Sequence, residues 1–506
     1  MNKHKLLLVK PAQMVGSRIR KQYKAYFPNI TLPTLAAYVP HEFDIDIIDE
    51  TLENIDFSKQ YSIIAITALQ QNIDRGVLIA KYFKKAWKDK VLIVGGGINF
   101  SFIIAEDYCL TKEYKEEILK YFDHIFIGEA DYTWPLFLED FLKGVKREKI
   151  IQSEKRPDLK NIPFPRIDLI KWKLYSKMPL YKTNFLGFPK FGYLVPVETS
   201  RGCPHDCAYC CVSKYWGKQI RYRPAAEVVK HIKKLPRDML LIFTDDNIAS
   251  IPKYTKELFR LMIREKVEQN FFAQFTFRSA DDAELIELAA KAGCKNAYLG
   301  MESIQPESLV SVNKSSNLPE RVYDLIKNNE LDKAKEFLKA YYSEVFSKFK
   351  SCGIHPFPSV IVGLSGDNVK NMYETVRFLV DEGIMLMTQW FYTPFIGSRH
   401  FKDFDKHEII RYKKFGRFDA GYLVFNTASV LGIVNKDLEV AFWDSYKEFY
   451  SLNNILKRIS KNRMPFKEKV MFFIINLFYY QAVAQRIEPF TLSWRTKWVC
   501  ENRRNL

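Results

Sequence analysis

The sequence predicts an α/β chain in three parts: a doubly wound parallel sheet, a partial barrel, and a mainly helical tail. Three observations carry that prediction. Short β-branched or Leu-rich runs alternate with helical stretches over residues 1–145, as expected of strands buried on both faces. The alternation stops across a proline-bearing connector, 146–190, and resumes as six further β/α units over 191–405. From 406 to 506 the chain is helical in pattern, basic and rich in aromatics. In fold terms, these are a Rossmann-like sheet, a partial (β/α)6 TIM-type barrel and a helical C-terminal domain.

Each element follows from local chemistry. In the first part, strands are predicted at 5–9, 44–48, 62–67, 91–94 and 124–127, with a helical stretch such as 76–87 between them. Their C-terminal ends carry Pro11, Thr67-Ala68, Gly95-Gly96-Gly97 and Gly128-Glu129, where ligands of such sheets bind. Pro157, Pro163, Pro165, Pro179 and Pro189 make the connector extended. Barrel strands are predicted at 193–198, 240–244, 272–277, 297–300, 358–362 and 387–391, with helices near 226–234, 254–268, 281–292 and 369–381. Residues 311–350 are rich in Lys and Glu and read as a solvated helical insert.

Composition narrows the function classes. Apolar residues are 47% and charged residues 27%, which excludes wholesale disorder. The net charge of +18 admits a polyanion, an anionic membrane surface or a phosphorylated ligand, and equally a basic protein with no such partner. Met1 to Lys5 runs directly into Leu6-Leu7-Leu8-Val9, with no secretory leader pattern, so a cytoplasmic location is expected. The apolar run 470–480 is too short to span a bilayer; it reads as a buried helix or, with Lys467, Lys469 and Arg486 around it, as a peripheral membrane contact.

Of eight cysteines, three are bunched as Cys203-Pro-His-Asp-Cys207-Ala-Tyr-Cys210. Three thiolates on one loop can hold three irons of a 4Fe–4S cluster and leave the fourth iron open. Zinc wants four ligands, usually in separated pairs, and would have to recruit His205 from inside the loop. Cys211 breaks the spacing and reads as a non-ligand thiol.

The stretch from Glu198-Thr-Ser-Arg-Gly through Cys210, following a strand, resembles the signature of radical S-adenosylmethionine (SAM) enzymes. The resemblance implies that SAM chelates the open iron and is cleaved to a 5′-deoxyadenosyl radical. It also implies cofactor contacts at Tyr209, at Asp245 and Asp246 after the second barrel strand, and at Arg278 after the third. Glu302 and Ser303 after the fourth and Gln389 on the sixth complete that set. The two aspartates could instead cap the next turn, and Gly363-Leu-Ser-Gly366-Asp367 serves either SAM or backbone geometry.

A Rossmann-like domain ahead of such a barrel resembles the cobalamin-binding class of this family. Thr67, Gly95, Gly96, Gly97, Gly128 and Glu129 are then expected at cobalamin; the alternative is a glycine-rich sheet end with no corrin. No Asp-x-His-x-x-Gly is present, so no cobalt-ligating histidine is implied, and Asn99 stands where many members have His. The family implies a methyltransferase acting on unactivated carbon or on phosphorus. Alternatives are a cyclase or rearrangement enzyme with the same cofactors, a tRNA-modifying enzyme, or a non-catalytic iron–sulfur or corrinoid carrier. A small-molecule or lipid-like substrate and a flavodoxin- or ferredoxin-type electron donor are expected, and no nucleic acid.

Overall fold

The computed structural model describes residues 3–183, 189–487 and 496–500. Two parallel six-stranded sheets organise the chain. The first contains β1 (His4–Lys10), β2 (Phe43–Asp49), β3 (Ile63–Thr67), β4 (Leu92–Gly96), β5 (His124–Ile127) and β6 (Ile150–Gln152), in the order 2-1-3-4-5-6. That is the doubly wound order with one strand appended. β6 was not expected: a three-residue edge strand carries too little pattern to read.

Leu6 and Leu8 face one side of this sheet with Ile63, Val94 and Phe126, and pack on α1 (Thr31–Ala36) and Trp134. Leu7 and Val9 face the other side with Ile64 and Ile93, against α2 (Ile73–Trp87), α3 (Ile98–Ala105) and α4 (Lys112–Tyr121). Apolar strand residues on both faces are what a sheet sandwiched by helices requires. The second core is not confined to the N-terminal part. Ile396, Phe401, Phe415, Phe418 and Val424 enter it, so the segment after the barrel is fastened to the first sheet.

The second sheet runs β7 (Leu194–Val197), β8 (Leu240–Phe243), β9 (Phe271–Phe275), β10 (Cys294–Glu302), β11 (His355–Val362) and β12 (Thr388–Phe391) in chain order, open between β7 and β12. The free edge of β12 is partly covered, because Phe391 N–H donates to the Ala420 carbonyl at 2.9 Å. Outer helices include α5 (Ala225–Lys234), α6 (Pro252–Arg264), α7 (Ala283–Lys291), α8 (Leu331–Ser351) and α9 (Val369–Asp381).

The 311–350 segment departs from its expected role. α8 buries Ala334, Leu338, Tyr342, Val345, Phe346 and Phe349 against the barrel core. Each large side chain contributes roughly 1.5–3 kcal/mol on burial, so this helix is structural and only its outer face is solvated.

After the barrel come α10 (Arg399–Lys406), α11 (Asn435–Phe449), α12 (Leu452–Lys461) and α13 (Phe466–Ala484). α11 packs Phe442, Tyr446 and Phe449 onto the barrel core. α13 buries Met471, Phe472, Asn476 and Val483 and exposes Phe466, Val470 and Ile474. Among the described residues no helix is long and apolar enough to cross a membrane. Thr496–Cys500 pairs with Arg18–Gln22, a strand far from it in sequence that local pattern does not reveal.

Candidate active site

The Cys203–Cys210 loop leaves the end of β7 and forms one side of a cavity of about 470 Å³ over the C-terminal ends of the barrel strands. Cys203, Cys207 and Cys210 all line it. Gly202 has φ +112°, and a Cβ there would stand 2.7 Å from the Gln219 carbonyl, so the turn into the loop requires glycine. Cys203 N–H donates to Gly217 O at 3.2 Å, and Ala208 N–H donates to Val312 O at 2.9 Å. Burial raises all three thiols above the ordinary range.

Among the described residues no group of three or more His, Cys, Asp and Glu side chains is arranged to hold one metal ion. A tetrahedral zinc needs its ligands to converge on one point. A cluster needs each thiolate on a different iron around a shared body, which suits three thiols spread along a cavity wall.

Facing the loop, Glu302 takes φ +60° at the end of β10 and accepts from Tyr209 Oη at 2.9 Å and from Lys314 Nζ at 2.8 Å. Burial opposes the charge on Lys314, but the Glu302 carboxylate prevails and holds the ammonium above its usual range. Gly300 makes room for this pair: a Cβ would lie 2.6 Å from Glu302 Oε1 and 2.9 Å from Lys314 Nζ. Tyr209 and Glu302, both expected at the cofactors, are therefore brought together beside the cysteines.

The two aspartates diverge. Asp245 is buried and accepts from Thr199 Oγ1 at 2.6 Å, Thr199 N at 3.3 Å and Ser200 Oγ, tying β8 to the start of the cysteine loop. It does not line the cavity; Asp246 does. Burial, then the Asp245 and Glu198 charges, push Asp246 up to about 7. Burial also raises Asp245, to about 6, against its hydrogen bonds.

Three other expected residues are not brought to this cavity. Arg278 is exposed, donates to the Leu318 carbonyl at 3.2 Å and lines a neighbouring surface hollow with Asp281 and Tyr323. Ser303 is buried under the strand end and accepts from Gln305 N–H at 3.0 Å. Gln389 points outward and donates to Phe442 O at 2.9 Å and Ser445 Oγ at 3.2 Å, anchoring α11. Its neighbour Trp390 lines the cavity instead, because adjacent strand residues face opposite sides.

Sequence reasoning missed much of the wall: Gln274, Tyr298, Ser359, Ile361, Trp390 and Asp419. The first five occupy inward-facing positions of β9 to β12, and polar residues inside buried strands were the available signal. Asp419 carried none; Gln13 Nε2, from the far N-terminus, reaches it at 2.8 Å. Gly363 and Gly366 serve the backbone, with φ +102° and +86°, while Asp367 accepts from Gly363 N at 2.9 Å.

A second cavity, of about 190 Å³, lies beyond the C-terminal ends of β3, β4 and β5. It gathers Thr67, Gly95, Gly96, Gly97, Gly128 and Glu129 on one wall and Glu198, Arg201, Tyr215 and Trp216 of the cysteine-loop segment on the other. Gly97 has φ +101°, and a Cβ there would sit 2.9 Å from Thr67 Oγ1; Gly128 has φ +76°. The glycines thus form a cradle that side chains would fill. Gly95 differs. Its Cβ would point into the α3 side of the core, 2.7 Å from Phe100, so it serves helix packing. Glu129 is engaged in ion pairs with Arg201 at 2.9 Å and Arg221 at 2.7 Å. Asn99 is buried away from the cradle, donating to Ala68 O at 3.4 Å.

Three thiols on one loop, an open cavity at the barrel mouth and a glutamate held beside them are the arrangement that an open-sited iron–sulfur cluster requires. Residues 197–379 match the family model described as the Radical SAM superfamily. Those residues therefore carry a radical SAM domain. Bacteriochlorophyllide d C-12(1)-methyltransferase of Chlorobaculum tepidum is 25% identical over 466 residues, covering 90% of each chain. Among solved structures, the methyltransferase TsrM from Kitasatospora setae, with cobalamin and a 4Fe–4S cluster bound, matches at a TM-score of 0.54 and 16% identity, covering 78% of this chain and 77% of that one. The cobalamin-dependent radical enzyme OxsB, with aqua-cobalamin and SAM bound, matches at 0.60 and 12% identity, covering 95% and 72%.

Proposed function

We propose that this chain is a cobalamin-dependent radical SAM methyltransferase acting on an unactivated carbon or on phosphorus of a small or lipid-like molecule. The observation that carries the reading is the pairing of two cavities on one segment: the cysteines of 203–210 line one, and Glu198, Arg201, Tyr215 and Trp216 wall the other. A relative that spans nine-tenths of the chain is named a methyltransferase, which supports the same reading.

When bound, the cluster supplies the electron that cleaves SAM to a carbon-centred radical, and cobalamin supplies the methyl carrier. Cys203, Cys207 and Cys210 would hold the cluster, and the Thr67–Gly97–Gly128 cradle the corrin tail. Tyr209 and Lys314 keep the Glu302 carboxylate fixed at the barrel mouth, so a polar contact to SAM there is pre-oriented. Asp246 offers a second carboxylate on the same cavity. Tyr298, Trp390 and Tyr392 give aromatic walls that exclude water from the reacting centre. Lys314 is paired with Glu302, so the wall suits a largely apolar body more than an anionic one.

A flavodoxin or ferredoxin is the class of donor proposed. The exposed Phe466, Val470 and Ile474 beside Lys467 and Lys469 support peripheral contact with an anionic membrane surface.

The test is to incubate reduced, cluster- and cobalamin-loaded protein with SAM in the absence of substrate. S-adenosylhomocysteine formed alongside 5′-deoxyadenosine supports methyl loading. A ring-closing or rearranging enzyme would form 5′-deoxyadenosine alone, and that result would remove methyl transfer from the account.

A further inference from the structure

Arg201 stands two residues before Cys203, and its guanidinium is buried, 6% exposed. It gathers three carboxylates: Glu198 at 2.7 Å, Asp131 at 2.7 Å and Glu129 at 2.9 Å. Asp131 and Glu129 belong to the loop after β5, on the first sheet; Glu198 follows β7 on the second. Arg221 stands opposite Arg201 in a short antiparallel ladder and clasps the same Glu129 at 2.7 and 3.0 Å. Arg223 extends the network to Glu198 at 3.1 Å and to the Ile162 carbonyl at 2.6 Å, on the connector. Tyr38 Oη donates to Asp131 at 2.8 Å, and Tyr215 Oη donates to the Gly128 carbonyl at 2.9 Å.

Two features make this more than a structural bolt. Glu129, Asp131, Glu198, Arg201 and Trp216 all line the glycine-cradle cavity, and the Arg201 guanidinium lies over the Trp216 ring at 5.1 Å. The other end of the same segment is the cysteine loop, fixed by Cys203 N–H on the Gly217 carbonyl. A ligand in the cradle and the packing of the cysteine loop therefore meet at one buried cation.

We propose that Arg201 is a positioning residue that couples the two sites: occupancy of the corrin cavity orders the cluster loop, and a loaded cluster loop preforms the corrin cavity. This rests on the corrin reading above. Coupling is reciprocal by thermodynamic necessity, so cluster loading should tighten corrin binding by the factor by which corrin tightens the loop. Couplings of this kind amount to about 5–150-fold. Lys at 201 keeps the charge but cannot engage three carboxylates as a planar fork, so it should retain only part of the effect.

The test titrates full-length chain, apo and cluster-reconstituted, with hydroxocobalamin, reading bound corrin by equilibrium dialysis and tryptophan quenching. Wild type should bind at least about 5-fold tighter with the cluster in place. That ratio should fall toward one in Arg201→Met and to an intermediate value in Arg201→Lys, with iron content unchanged. If Arg201→Met does not fold, Glu198→Gln, which removes one arm of the fork, should lower the ratio in the same direction. An unchanged ratio in the folded variants would overturn the inference while leaving the corrin reading intact. Absence of corrin binding by the wild type in both states would overturn both.

Discussion

Gly95 and Gly96 are neighbours on β4 and face opposite sides of the sheet, so equivalent substitutions should fail in different ways. At Gly95 a Cβ would sit 2.7 Å from one Phe100 ring carbon and 2.9 Å from Phe122. Ordinary contact begins near 3.4 Å, so both fully buried rings must move, Phe100 by roughly 0.7 Å and Phe122 by roughly 0.5 Å; overpacking of this kind costs about 1–3 kcal/mol. For a unit of this size that corresponds to a fall of roughly 2–12 °C in Tm. At Gly96 the nearest atom is Phe126 Cβ at 3.4 Å, and the added side chain projects into the glycine cradle. Gly96→Leu should therefore leave the apo-protein within about 1 kcal/mol of wild type and lose corrin retention, whereas Gly95→Ala should lower Tm and retain corrin. Thermal unfolding by circular dichroism and corrin absorbance after gel filtration read the two effects. Equal loss of Tm in both variants, or corrin retained by Gly96→Leu, would refute the assignment of the two faces.

Further outcomes are expected. Cys203→Ala, Cys207→Ala or Cys210→Ala should each abolish cluster absorption in the visible and SAM cleavage, while Cys211→Ala, whose thiol packs toward the first-sheet core, should keep both; an intact cluster in any of the first three would refute the ligand set. Glu302→Gln leaves the buried Lys314 without its carboxylate, and such a loss costs about 3–5 kcal/mol; SAM affinity measured on cluster-loaded protein should fall at least tenfold, and wild-type affinity would show that Glu302 is remote from SAM. His231 stacks on Phe164 at 4.1 Å between centroids, and burial, then Arg223, depress it from 6.5 to about 4. Its stabilising contribution is present above the unfolded value and is lost as pH falls from about 6.5 to about 4, at most about 3 kcal/mol. His231→Phe should flatten that part of the stability–pH curve, and an unchanged acid limb would contradict the assignment.

Much of this architecture was legible because its signals are local. Strands of β-branched residues and glycine-bearing strand ends announce a doubly wound sheet, and three spaced cysteines announce cluster chemistry without any knowledge of the fold. Orientation was less legible. Gln389 and Trp390 differ by one residue, and that single step decides which lines the cavity; Asp245 and Asp246 pose the same problem. Lys314 and Asp419 reach the site through tertiary packing alone, the latter held by Gln13 from the opposite end of the chain. In the Lys- and Glu-rich 311–350 segment the signal was present. Ala334, Leu338, Tyr342, Val345 and Phe349 recur at helical spacing, but the charge of the outer face masked the apolar stripe. Arg201, Arg221 and Arg223 gave no hint of their role, because the carboxylates they bind lie as far as 92 residues away in sequence.

The central claim is that two cofactors share one chain. Protein purified without oxygen from cells supplied with iron and cobalamin should carry about four irons, about four sulfides and about one corrin per chain. Four irons with no corrin, even after reconstitution, would contradict the claim and leave a radical SAM enzyme whose first sheet binds something else.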